Sequence, residues 1–177
     1  PAEREARRAA LGERYRTMTG HMRHELAHVL FDRLAADPAF AEPFRALFGD
    51  EREDYAAALE RHYADGPPPD WAGRFVTRYA SAHPHEDWAE SVAHLLHMVD
   101  LVDSAAAAGL APGVLDPYAL TDAEHAIALG VEYGIALNHV SRSMGFADIY
   151  PFVLAPLPRK KLVFVHHALR AGPRPAG

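Results

Sequence analysis

Cysteine is absent from this 177-residue chain. No disulfide can form and no thiolate can bind a metal, so any metal ion would have to be held by imidazoles and carboxylates. An excess of base is lacking too: 18 Lys and Arg stand against 24 Asp and Glu, a formal charge of −6. That balance argues against the basic stripe of a general nucleic-acid binder. No apolar run approaches the roughly 18 residues that span a bilayer, and no secretory leader is visible. The expectation is a cytoplasmic chain with neither nucleic acid nor membrane as partner. Strand alternation is missing as well, since VFV at 163–165 is too short and sits among helix formers. No phosphate-cradling Gly loop and no Ser-His-Asp nucleophile motif occurs. What the chain has in quantity is histidine, 12 residues.

The length suits one domain, expected over residues 1–177 with 171–177 as a frayed tail. The pattern predicts a mainly α-helical fold. Residues 2–36 are rich in Ala, Arg, Glu and Leu, with a break or bend expected near Gly20 because Gly weakens a helix interior. A second helix is expected from Glu51 to Tyr63, ended by Gly66–Pro69, and a third from an Asp70 N-cap through Tyr79. A fourth runs from His85 to Ala107. Its apolar residues Trp88, Val92, Leu95, Leu96 and Val99 recur at three- and four-residue spacings, as on a buried helical face. Thr121 and Glu124 form a capping box for a fifth helix through about Ser143, and residues 159–170 form the last.

The informative stretch is His24-Glu25-Leu26-Ala27-His28, an H-E-x-x-H within a helical pattern. Two histidines four apart lie one above the other, about 6 Å apart along the axis. Their imidazoles can converge on one Zn²⁺. Glu25 can reach a metal-bound water without displacing it and serve as general base. His21 extends the stripe and is a candidate to brace the site.

A catalytic zinc takes three protein ligands and keeps one position open. The residues after His28 are VLFDRL, so the third ligand lies further along. The segment YASAHPHEDWAESVAHLLH (79–97) offers Tyr79, His83, His85, Glu86, Asp87, Glu90, His94 and His97. Glu86, Glu90, Ala93 and His97 share a face, and Asp87 is rotated about 100° from Glu86. Glu86, nearest the Pro84 bend, is the candidate ligand. Glu90, one turn deeper, is the preferred brace for an imidazole, with Asp87 competing for that place. His83 and His85 flank Pro84 and are candidate donors at the rim. His94 and His97 read as ordinary helix histidines.

The arrangement Tyr79, Glu86, Ala89, Glu90 resembles the third-ligand helix of glutamate-type zincins of the lethal-factor kind. The resemblance implies that Glu86 binds zinc, that Tyr79 points at the zinc-bound oxygen, and that Glu90 stands behind the ligands. A wider resemblance rests on RTMTGHMRHELAHVLFDRL, FRALFGDEREDYAAALERHYADGPP, YASAHPHEDWAESVAHLLHMVDLVDSA, SRSMGFADIYPFVL and KLVFVHHAL. Together these are similar to the bacterial zinc-binding metallopeptidase family. Members usually carry an upstream cysteine-rich zinc ribbon and an extended segment before the H-E-x-x-H helix. The expectation is therefore a zincin-like catalytic domain lacking an upstream segment.

These readings converge on a zinc-dependent hydrolase with one Zn²⁺ per chain, held by His24, His28 and Glu86. Glu25 is the base, Tyr79 the oxyanion donor, and a peptide or protein the substrate. Two alternatives stay open at this point: a zinc hydrolase of non-peptide amides, and a non-enzymatic metal-stabilised interaction module. A fourth protein ligand, such as His21 or His85, would mark the second. Oligomeric state is not legible.

Overall fold

The computed structural model describes residues 17–111, 115–150 and 153–172. Among them every regular element is helical and no strand occurs. The expected start of the first helix, 2–16, and the tail from 173 lie outside the described residues.

Helix α1 spans Met18–Leu34. Thr17 caps it, its hydroxyl accepting from Gly20 N at 3.1 Å. The extended Thr17 starts the helix three residues before Gly20, so the helical stretch is broken near Gly20 as expected, with Gly20 itself in the first turn. A glycine there interrupts no interior hydrogen bonds, because the first turn's N–H groups have no intrahelical partners. The face Gly20, His24, Ala27, Phe31 and Leu34 is buried.

Helix α2, Pro38–Phe48, has no counterpart in the sequence reading, although its signals are local: an Asp37 cap and Pro38 in the first turn. It presents Phe40, Phe44 and Phe48 at four-residue spacing. Phe44 and Phe48 stack at 4.7 Å, and Phe44 meets Phe31 of α1 edge-on at 4.8 Å. Helix α3, Tyr55–Asp65, starts later than Glu51 because Asp54 takes the cap, accepting from Ala57 N at 3.0 Å. It ends at Gly66, whose φ of +78° suits glycine.

The third expected helix is cut short. Helix α4 covers only Trp71–Arg74, and Phe75 is extended. The β-branched pair Val76–Thr77 follows, both buried. Thr77 Oγ1 accepts from Ala80 N at 3.1 Å, which opens a 3-10 turn at Tyr79–Ala82.

Helix α5, Pro84–Ala107, is the centre of the fold. His83 caps it, Nδ1 accepting from His85 N at 3.1 Å. Trp88, Val92 and Leu95 are buried along it, as the spacing predicts, whereas Leu96 and Val99 are only half-buried and Met98 and Val102 complete the buried face. Trp88 Nε1 donates to Ala27 O at 2.9 Å, fixing α1 against the first turns of α5. Helix α6 spans Ala123–Ser143, with Asp122 rather than Thr121 as its cap; Asp122 accepts from His125 N at 3.1 Å. Helix α7, Pro156–Ala171, begins earlier than 159, since a proline fits a first helical turn. Gly172, at φ +64°, ends it, so Ala171 belongs to the helix and not to a tail.

Candidate metal centre

The docking of α1 on α5 brings His24, His28 and Glu86 together, with one potential ligand atom from each within 4.8 Å of the others. His24 Nε2 lies 3.2 Å from His28 Nε2 and 3.0 Å from Glu86 Oε2. His28 Nε2 lies 3.7 Å from Glu86 Oε1. Bonds of about 2.0–2.1 Å to a tetrahedral ion would place its ligands about 3.3 Å apart.

The protons favour the same reading. His24 Nδ1 donates to Glu90 Oε1 at 2.7 Å, so Nε2 is the nitrogen that faces the cluster, and in the neutral imidazole it carries the lone pair a metal needs. Glu90 is itself held, its Oε2 accepting from Thr77 Oγ1 at 2.7 Å. Glu86 is 1% exposed, yet its Oε2 has no hydrogen-bond partner. A buried carboxylate oxygen and two imidazole nitrogens converging at these distances form a donor set that a cation could fill in place of the protons they share without it. The residues fit a zinc ion.

Electrostatics agree. Burial disfavours a charge on His24, but the neighbouring carboxylates of Glu86 and Glu90 outweigh it and raise its pKa to about 9. The two carboxylates thus demand positive charge at this imidazole. Burial, reinforced by the charge on His24, lowers His28 and keeps it in the neutral, ligating form. Burial works against ionised Glu86, but the neighbouring His24 and the hydrogen bond from Tyr55 prevail and hold its carboxyl below the ordinary range.

The other residues singled out in the sequence are distributed around this cluster. Glu25 is exposed and lies 3.5 Å from His21 Nδ1, so His21 stands beside Glu25 and is not one of the clustered donors. Tyr79 is buried, its ring 6.0 Å from that of His24. His85 packs on Phe31 at 4.4 Å with its ring 6.3 Å from that of His28. His83 uses both nitrogens structurally, Nε2 facing Glu53 O at 3.2 Å. Asp87 corrects an expectation: it braces no imidazole. It is fully buried and forms an ion pair with Lys161 of α7, whose Nζ also donates to Arg74 O at 2.9 Å. His97 accepts from Arg23 at 2.6 Å, and His94 Nδ1 lies 3.4 Å from the Tyr150 hydroxyl.

Two residues at the centre were not found in the sequence. Tyr55 Oη donates to Glu86 Oε1 at 2.6 Å, and Tyr79 hydrogen-bonds the same hydroxyl. Thr77 holds Glu90. Tyr55 is 31 residues from Glu86, with no spacing rule to link them. Thr77 lies in a stretch that reads as helix, where its side chain would be placed differently.

The site lies in a helical domain in which an H-E-x-x-H helix packs beside a carboxylate-bearing helix, with His24, His28 and Glu86 placed where they could hold a metal ion. Residues 1–168 match the family model described as "Putative zinc-binding metallo-peptidase", and the chain belongs to that family. It is similar to uncharacterized proteins of Mycobacterium bovis and of two strains of Mycobacterium tuberculosis. Each is 44% identical over 171 residues, covering 92% of this chain and 49% of the relative. The chain spans about half the length of these curated relatives. No solved structure matches. Among the described residues, no helix is long and apolar enough to cross a membrane.

Proposed function

We propose that this chain is a zincin-type peptidase domain that holds one zinc through His24, His28 and Glu86 and hydrolyses a peptide bond. The observation that carries the reading is the donor triangle, with His24 Nε2 3.2 Å from His28 Nε2 and 3.0 Å from a buried, unpartnered Glu86 oxygen. Three protein donors are the number a catalytic zinc takes with its fourth position open. A zinc bound there would polarise a carbonyl and acidify water.

The chain's own residues supply the rest. Glu25 accepts the proton of the attacking water and later delivers it to the leaving amine. Tyr79, whose hydroxyl meets that of Tyr55 in this structure, turns from it to donate a hydrogen bond to the carbonyl oxygen as that oxygen gains charge. Glu90 holds His24 by Nδ1, which fixes the ring and the tautomer that ligates. The family description supports peptide bonds as the substrate class.

The test is elemental analysis paired with a broad peptide-cleavage screen. One zinc per chain and chelator-sensitive cleavage are expected, with both lost in His24→Ala. Tight one-to-one zinc binding that survives His24→Ala would show the site to be elsewhere.

A further inference from the structure

The two oxygens of Glu86 meet different surroundings. Oε2 lies 3.0 Å from His24 Nε2 and has no hydrogen-bond partner. Oε1 lies 3.7 Å from His28 Nε2 and accepts from Tyr55 Oη at 2.6 Å. A hydroxyl donating to a carboxylate at this distance makes a strong, charge-assisted bond. The choice of oxygen matters, because a carboxylate can hold zinc with one oxygen or with both. Both oxygens would bring the ion to five-coordination or fill the position a substrate needs.

We infer that Tyr55 is a positioning residue that occupies Glu86 Oε1 and so restricts Glu86 to a single metal-facing oxygen. The inference rests on the metal site proposed above.

The fold holds Tyr55 for this task from three sides. Tyr55 is the first residue of α3, placed by the Asp54 cap. Its ring meets His83 edge-on at 5.1 Å, and His83 is the cap of the helix that carries Glu86. The hydroxyl and the carboxylate are therefore tied to the same turn. Tyr79 also hydrogen-bonds the Tyr55 hydroxyl. Tyr55 is 42% exposed, more than a residue kept only for packing requires.

The experiment loads wild type, Tyr55→Phe and Tyr55→Leu with Co²⁺ in place of zinc and records visible absorption. Wild type should bind one Co²⁺ per chain and show the intense bands of a four-coordinate ion. Both variants should still bind one Co²⁺ but with bands several-fold weaker, as five-coordinate cobalt gives. With zinc, kcat should fall about 10-fold at unchanged KM, in the range for residues that orient a ligand. Two variants that each lack the donor but differ in shape separate the lost hydrogen bond from a packing defect. Variant spectra that match wild type would overturn the role of Tyr55 and leave the metal site standing. A wild-type chain that binds neither Co²⁺ nor Zn²⁺ would overturn the metal site itself, and the inference with it.

Discussion

His24 Nδ1 donates to Glu90 Oε1 at 2.7 Å, and Glu90 lies one helical turn beyond Glu86 on α5. One helix thus addresses both nitrogens of a single imidazole, with Glu86 beside Nε2 and Glu90 at Nδ1. The two carboxylates have different tasks, and substitution should separate them. Glu86→Ala should abolish stable zinc binding. Glu90→Ala should weaken it by about 10–100-fold, the usual loss when the group behind a ligating histidine is removed. Competition with a chromophoric chelator measures both. Equal affinities in the two variants would refute the division of labour.

Glu25 is exposed on α1 between the two histidines, and its carboxylate is outside the donor triangle. Glu25→Gln keeps the shape and removes the base. Zinc content should be unchanged, while peptide hydrolysis should fall by about 10²–10⁴-fold. Retained turnover in a fully loaded Glu25→Gln protein would remove this residue from the mechanism.

The buried Asp87–Lys161 pair ties the start of α5 to α7. Lys161 also lies over the Phe75 ring at 4.4 Å. Lys161→Met preserves much of the aliphatic packing but leaves Asp87 without its counter-charge. The cost should be about 3–5 kcal/mol, the range for breaking one partner of a buried ion pair. Pairing it with Asp87→Asn should recover part of that loss. Urea denaturation of the single and double variants measures the coupling.

Gly130 is where α6 approaches α5. A Cβ there would meet Met98 Cβ at 2.6 Å, and Met98 is fully buried. Gly130→Ala gains about 1 kcal/mol of helix propensity. Overpacking a core that cannot give costs about 1–3 kcal/mol, so the contact should prevail and the melting temperature should drop. Met98→Ala in the same chain should restore little of the loss, because alanine keeps the Cβ that lies 2.6 Å away, and thermal denaturation of the double variant would reveal this.

Burial depresses His94 to about 4 and His97 to about 3, the latter with the charges of His94 and Arg23 acting in the same direction. Both histidines are neutral in the fold. In the unfolded chain they take up protons below about pH 6.5. Their contribution is complete above that value and is lost as pH falls toward 4 and then 3, because the unfolded state binds more protons there. His97→Gln removes one titrating group and keeps an acceptor for Arg23. Its urea midpoint should therefore fall less between pH 7 and pH 5 than that of wild type. Parallel curves would contradict the assignment.

Much of this molecule is local and therefore legible in the chain. The three- and four-residue spacing of Trp88, Val92 and Leu95 marks the buried helix, and Pro84 marks its start. Four-residue spacing alone puts His24 and His28 on one side of α1. The absence of cysteine confines any metal to nitrogen and oxygen donors. Helix starts were legible less closely, to within a residue at Asp122 beside Thr121 but four residues early at Tyr55 and three late at Pro156, since neighbouring side chains compete to cap the same amides. The choice among Glu86, Asp87 and Glu90 is of another kind. It depends on how α5 is rotated against α1, and the Trp88 bond to Ala27 O, between residues 61 apart, fixes that rotation. With it set, Glu86 and Glu90 face α1, while Asp87, about 100° around the helix, meets Lys161 of α7. Tyr55 and Thr77 reach the site only because the chain folds back between α3 and α5. No periodicity of a single helix encodes such a meeting, so the tertiary structure alone decides it.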